Sequence, residues 1–406
     1  MKAAGTQATG PLAGVRVIDM TTVLMGPYAT QILGDMGADV IKVEAPDGDS
    51  SRGIGPMRSA GMGAFYMNAN RSKRSIVLDL KTPAGHAALL RLLKTADVLI
   101  YNVRPQAMAR LKLSYEDVCA FNPRIIHVGC YGFGQSGPYA ERPAYDDLIQ
   151  GAVGLSSLTL LAGDDKPRYV PCTIADRTVG LTAVNAVTAA LFYRERSGEG
   201  QAIGIPMFET MVHYVLGDHM GGLTFEPPLG PAGYQRLLSS ERRPYATKDG
   251  YISAVVYTDV HWRKFLTLIG TPEVMDTDPR LADMGTRTRY TNELYQMVIN
   301  VVATRTTAEW VETFNAIDIP VMPMHSLESL LEDPHLKAVG FFQVMDHPTE
   351  GRVRAMAVPS TWSKTQPSIK RLASRKGEHT EEVLREAGIS EEDITALLPA
   401  IVSASA

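Results

Sequence analysis

Residues 11–44 read PLAGVRVIDMTTVLMGPYATQILGDMGADVIKVE, and this stretch decides the fold class. Val15–Met20 is a short apolar run of strand length. A helical pattern follows from about Pro27 to Met36, and Ala38–Glu44 is a second strand. Gly37 suits the left-handed residue that ends a helix, and the short connections predict a right-handed βαβ unit with parallel strands. The alternation continues with a strand at Ser75–Leu80, a helix over Pro83–Thr95, and strands at Asp97–Tyr101 and Arg124–Cys130. Such a pattern predicts an open α/β sheet with helices on its faces. Ligands of these sheets sit beyond the carboxyl ends of the strands, so the loops after Met20, Tyr101 and Cys130 are the places to search.

A chain of 406 residues exceeds one compact core, so two domains are expected. With 45% hydrophobic and 21% charged residues the composition is that of a soluble globular protein. A formal charge of −4 argues against general nucleic-acid binding. Cys119, Cys130 and Cys172 are too few and too scattered for a disulfide framework or a zinc site, which suits a reducing compartment and implies no metal. Neither a signal-peptide core nor an apolar run of the ~18 residues a membrane helix needs is present, so the expected location is the cytoplasm.

Gly132, Gly134 and Gly137 form a literal GxGxxG. A dinucleotide fingerprint must open a helix directly after a first strand, whereas Pro138 and polar turn residues follow here, so NAD binding is rejected. What remains is a loop whose glycines let a backbone approach something closely. A basic segment, Asn70-Arg71-Ser72-Lys73-Arg74, precedes the third strand, with Arg52 and Arg58 upstream. Asn102, Arg104, Pro105 and Arg110 follow Tyr101. Cations at strand ends suit a ligand with several phosphates; a solvated basic face explains them equally well.

Tyr169–Arg194, YVPCTIADRTVGLTAVNAVTAALFYR, joins an expected strand or extended segment, Tyr169–Ala175, to a helical run that is small and apolar on nearly every face. Asp176 lies at the junction. Its position alone suits an N-cap, and a catalytic carboxylate is the other reading. Further on, Ala202–Met207 is strand-like and Glu209–Leu216 helical, while Gly221–Arg243 reads as a linker. A smaller unit follows, with a strand at Ile252–Tyr257 and helices over His261–Ile269, Thr291–Thr304 and Thr307–Ala316. The resulting division is 1–220, a linker 221–245, a small domain 246–330, and 331–406 returning to the first domain.

Seven pieces in this order resemble the class III coenzyme A transferases, a family that includes formyl-CoA and carnitine-CoA transferases and α-methylacyl-CoA racemase. They are the opening stretch, NRSKRSIVLDLK, the NVRP of Asn102–Pro105, GFGQSGPY, the AD-x-x-x-G of Ala175–Gly180, the R-x-R-x-G-x-GQ of Arg194–Gln201, and GEHT. The resemblance implies a Rossmann-like large domain built from both chain ends, a small domain between, and two subunits interlocked as rings. It gives Asp176 the role of acyl carrier and the Gly132–Gly137 loop, with Gly134 and Gln135, that of stabilising the oxyanion. Acyl-CoA and a free carboxylic acid are the implied substrates, with no tightly bound cofactor. Implied coenzyme A positions are Val23, Leu24, Arg52, Asn70, Arg71, Lys73, Arg74, Asn102, Arg104, Pro105, Arg110, Tyr131 and Tyr145, with Arg52, Lys73 and Arg74 as phosphate contacts. Leu24 stands where the oxalate-handling branch has glutamine. Tyr145 stands where the racemases carry their catalytic histidine, and a phenol with a pKa near ~10 is a poor base, which favours transfer over racemisation. His127 reads as a core residue. Arg177, Arg242 and Arg243 are candidates for a second substrate carboxylate. A non-catalytic acyl-CoA binding protein is the remaining alternative.

Overall fold

The computed structural model describes residues 10–397. These fall into two compact units. One draws on both ends of the chain, through Ala152, from Pro171 to Val212 and from His335 onward; the other holds Val153–Val170 and His213–Pro334.

The first unit is built on a six-stranded sheet: β1 (Arg16–Met20), β2 (Asp39–Glu44), β3 (Lys73–Val77), β4 (Val98–Tyr101), β5 (Ile126–Tyr131) and β6 (Gln201–Pro206). Their order is β3-β2-β1-β4-β5-β6 and every pairing is parallel. The opening stretch forms β1, a helix over Met25–Asp35 and β2, and Gly37 takes the left-handed conformation at φ 113°. The chain therefore winds outward in both directions from β1, and the strand order reverses between β1 and β4. That switch point opens a crevice at the carboxyl ends of those two strands.

Both faces of the sheet are apolar because helices cover them. Ile18, Ile41, Ile76 and Leu99 are fully buried against Leu89, Leu92 and Leu93 of the Pro83–Leu93 helix and against Val383 and Leu384 near the chain's end. Thr82 caps that helix by accepting a hydrogen bond from Gly85 N. The terminal segment is tied to β3: Ser72 N donates to Arg371 O, Ser374 Oγ to Lys73 O, and Val77 N to Thr380 Oγ1. It also carries an antiparallel hairpin, β10 (Phe342–His347) with β11 (Gly351–Met356), in a region read from sequence only as a return to the first domain.

Tyr169–Ala175 departs from expectation. No strand forms; the segment is irregular up to Thr173, with Tyr169, Pro171 and Cys172 exposed, and the helix starts at Ile174. Pro171 removes a ladder donor from a run that no sheet edge receives. The helix, Ile174–Ser197, buries one face through Ala175, Val179, Gly180, Ala183, Val184 and Val187, while Leu181, Phe192 and Tyr193 are exposed. It is not enclosed on all sides within the single chain, as its composition suggested.

In the second unit, β7 (Tyr245–Ala246), β8 (Tyr251–Ala254) and β9 (Val321–Pro323) form an antiparallel sheet. Helices Asp259–Leu268, Thr291–Val302 and Thr307–Ala316 pack Trp262, Phe265, Val298, Trp310 and Phe314 into its core. Thr306, one residue before the expected start, closes a capping box with Glu309. Residues 153–170 and 213–245, expected in the first domain or a linker, group with this unit instead.

Candidate active site

At the switch point the two loops are stitched together. Asn102 accepts a hydrogen bond from Thr22 N at 3.0 Å and donates to Thr22 O at 2.9 Å, joining the ends of β4 and β1. Val23 sits at φ 70°, a region that a β-branched residue rarely adopts. Its N–H donates to Asp49 Oδ1 at 3.2 Å, which holds the turn in place.

Beneath these loops lies a buried charge network. Asp19 accepts from Thr21, Thr30 and Lys73. Burial by itself would raise its pKa, but Lys73, Lys42 and the two hydroxyls outweigh that and hold it at about 2. Lys42, fully buried, donates to Thr21 O and Asp49 Oδ2, both at 2.8 Å. Arg52 meets Glu44 at 2.6 and 2.7 Å and also donates to Tyr66, Gly61 O and Ser374 O.

The residues expected as phosphate contacts, Arg52, Lys73 and Arg74, lie within this network. Arg52, Lys73 and Arg74 are 5%, 2% and 6% exposed; Arg52 and Lys73 are paired with the buried acids Glu44 and Asp19, and Arg74 with the partly exposed Asp39, Glu382 and Glu386. Lys73 also donates to Asn70 Oδ1 and Pro27 O, so Asn70 is part of the same framework. Arg71 pairs with Asp35 at 2.8 Å. A desolvated cation with its donors engaged has nothing left for a phosphate. Sequence shows charge but not which charge is paired. By contrast, Arg104 and Arg110 are exposed beside Pro105, with no partner for either guanidinium among the described residues.

Asp176 lies in the first turn of the Ile174–Ser197 helix and is not its N-cap; Thr173 holds that position without a side-chain bond. The capping function comes from Asp146, at the start of the Asp146–Ala152 helix. Its Oδ1 accepts from Ala175 N at 2.8 Å and Asp176 N at 3.0 Å, and Gln150 donates to its Oδ2 at 2.6 Å. The Asp176 carboxyl is therefore released from capping, and no hydrogen bond to it occurs among the described residues. Burial, with the nearby Asp146 charge adding to it and Arg177 opposing, pushes its pKa up to about 7. Arg177 stacks over Tyr28 with its guanidinium carbon 4.7 Å from the ring centre. Because Gly180 lacks a side chain, the helix crosses the Met25–Asp35 helix closely; a Cβ there would lie 2.8 Å from Met25 O. That crossing sets the first turn carrying Asp176 against the residues that follow β1.

The glycine loop is held in place. A Cβ on Gly132 would lie 2.4 Å from Ala144 Cβ, and one on Gly134 would lie 2.5 Å from Glu209 Oε1. Gly134 N donates to Glu209 Oε1 at 2.9 Å, and Gln135 donates to Phe133 O at 2.8 Å. In this conformation the Gly134 N–H is already committed rather than free for an oxyanion. Tyr131 shares a 2.9 Å hydrogen bond with Tyr101, Tyr145 is 70% exposed, Leu24 is buried, and His127 is a core residue bonded to Leu113 O at 2.9 Å.

Asp146, Glu209 and Asp49 were not singled out from sequence. Asp146 and Gln150 lie four apart, a spacing that marks a helical pair, but nothing in the chain places that pair opposite residue 176. Among the described residues no group of three or more His, Cys, Asp or Glu side chains is arranged to hold a metal, and no helix is long and apolar enough to cross a membrane.

Comparison with known proteins agrees with this architecture. The profile of CoA-transferase family III matches residues 12–380. A succinate–glutarate CoA-transferase of Agrobacterium fabrum is 34% identical over 383 residues, covering 93% of this chain and 95% of that one. A formyl-CoA:oxalate CoA-transferase of Afipia carboxidovorans is 32% identical over 399 residues, covering 92% and 93%. The crystal structure of a CAIB/BAIF family protein from Brucella suis superposes with a TM-score of 0.77 at 30% identity, over 93% of this chain and all of that one. A parallel sheet reversing between β1 and β4, a carboxylate in the first turn of a long helix, and these matches along nearly the whole chain place the protein in CoA-transferase family III.

Proposed function

We propose that this CoA-transferase moves CoA from an acyl-CoA thioester to a free carboxylic acid through Asp176. The observation that carries the reading is a half-buried carboxyl in a helix's first turn, freed from capping by Asp146 and with a pKa near neutrality. Asp176 attacks the thioester carbonyl and expels CoA thiolate, leaving a mixed anhydride. The thiolate attacks the aspartyl carbonyl, releasing the first acid and leaving an aspartyl-CoA thioester. The acceptor carboxylate attacks that thioester and expels the thiolate again. Attack of the thiolate on the acceptor's carbonyl gives the new acyl-CoA and restores Asp176. Each step exchanges one activated acyl group for another, so neither ATP nor a metal takes part.

The acceptor is proposed to be a short dicarboxylic acid, such as succinate, glutarate or an itaconate-like acid, in keeping with the succinate–glutarate enzyme to which the chain is similar. Arg104 and Arg110 are the proposed phosphate contacts, since they are exposed after β4 and neither guanidinium has a partner among the described residues. Val23, Leu24 and Asn102 shape the crevice floor along the pantetheine path. The Gly132–Gly137 loop would supply oxyanion donors once Gly134 N exchanges Glu209 for substrate. Two copies are proposed to interlock; the exposed apolar Leu181, Phe192 and Tyr193 on the central helix support a second copy covering that face. Three free cysteines, Cys172 exposed among them, support a cytoplasmic setting.

Mass spectrometry after incubation with succinyl-CoA tests the mechanism. A hydroxylamine-sensitive adduct on Asp176, absent from Asp176→Asn, is expected. Turnover by that variant at the parent rate sinks the assignment.

A further inference from the structure

The second unit contains a cavity of about 260 Å³ beside β7 and β8, into which Arg236, Arg242 and Arg243 point. Arg243 is paired with Glu241 at 2.6 Å. Arg242 is exposed, and its guanidinium has no partner among the described residues. Arg236 is stacked over Tyr257, its guanidinium carbon 4.6 Å from the ring centre, and its buried Nε has no hydrogen-bond acceptor among the described residues. Three guanidiniums therefore face one carboxylate, leaving an excess of two positive charges in one small pocket. The remaining wall is mixed, with Pro244, Ala254, Val255 and Val256 supplying apolar surface beside Ser253 and the rings of Tyr245 and Tyr295. Its volume falls just below the ~300 Å³ at which pockets for drug-sized ligands begin, so it suits a small acid and not a nucleotide.

We propose that the Arg236–Arg242–Arg243 pocket is a binding site for a short aliphatic dicarboxylate. The excess charge matches a dianion, the fork geometry of guanidinium matches carboxylate, and the apolar part of the wall matches a methylene chain. The inference rests on the transferase reading for its biological sense, since there the dicarboxylic acid is the acceptor. Its physical content is independent of catalysis.

Isothermal titration calorimetry of the full-length enzyme with glutarate, and with butyrate as the singly charged control, tests it in the absence of any thioester. Glutarate is expected to bind at least about tenfold more tightly than butyrate, and Arg242→Ala and Arg236→Met are each expected to weaken glutarate binding about tenfold or more, the scale of one charge-assisted hydrogen bond. Arg242→Ala alters an exposed side chain and so guards against a folding artefact. In steady-state transfer both variants should raise KM for the acid and leave KM for the acyl-CoA within about twofold. Equal affinity for glutarate and butyrate, displacement of glutarate by an equal concentration of inorganic phosphate, or unchanged glutarate binding in both variants would each overturn the proposal. Glutarate binding through these arginines without any adduct on Asp176 would leave the pocket standing and remove the transferase reading. Adduct formation with glutarate binding unchanged in both variants would do the reverse.

Discussion

Asp176 and Asp146 divide between them two tasks that the sequence offered to one residue. A carboxylate that caps its own helix gives its lone pairs to backbone donors and becomes a weaker nucleophile. Supplying the cap from Asp146 leaves Asp176 free, while the added negative charge and burial raise its pKa to about 7. In the proposed mechanism the ionised form performs the attack, so the single-turnover rate of adduct formation should rise about tenfold per pH unit below pH ~7 and level off above it. Asp146→Asn keeps an oxygen for the cap and removes the charge. Its acidic limb should therefore shift to lower pH, and an unshifted stopped-flow profile would show that Asp146 does not act on Asp176. The same shift has a stability consequence. A carboxyl whose folded pKa lies above its unfolded value disfavours the folded state once it ionises, so this cost is absent below pH ~4 and fully present above pH ~7. Asp176→Asn should thus raise stability by about 1–3 kcal/mol at pH 8 and by almost nothing at pH 4. Urea titration at the two pH values checks this, and equal gains at both would contradict the assigned shift.

At the scale of elements, the close crossing of the Ile174–Ser197 helix on the Met25–Asp35 helix depends on Gly180. A Cβ there would meet Met25 O at 2.8 Å and Tyr28 Cδ1 at 3.1 Å, and the first of these is backbone that cannot swing aside. Gly180→Val should cost about 2–4 kcal/mol and displace the first turn, lowering adduct formation more than it weakens CoA binding. A variant with parent stability and rate would show the crossing to be unimportant. Gly180 was legible as part of a family motif, but its physical reason was not, because the packing partner lies about 150 residues away in sequence. The element that failed, Tyr169–Ala175, did so for a related reason: an apolar run becomes a strand only if a sheet edge accepts it.

On the scale of the whole molecule, the C-terminal segment packs onto the sheet built by the first half of the chain. Arg74 on β3 is neutralised by Glu382 and Glu386 at 2.8 Å each, and Thr380 accepts from Val77 N. Deleting the chain from Gln366 onward would leave Arg74 with Asp39 alone and would expose the core around Val383 and Leu384. Removing partners from a buried cation and large side chains from a core each cost several kcal/mol, so the truncated protein should be insoluble or lack a cooperative thermal transition. A soluble truncation with a sharp melt would show that the end is an accessory.

Local patterns are written in the chain: β1, the Met25–Asp35 helix, Gly37 and β2 follow from apolar periodicity and one glycine, and the parallel sheet follows from their repetition. The motif around residue 176 marked the carboxylate because neighbours in sequence share one helical turn. Pairing between distant charges is a different kind of property. Arg52, Lys73 and Arg74 resemble Arg104 and Arg110 as letters, and only the tertiary structure separates the cations locked to Glu44, Asp19 and Asp39 from those facing solvent. Desolvation and ion pairing depend on what folding brings within ~4 Å, and that information lies in no single stretch of the chain.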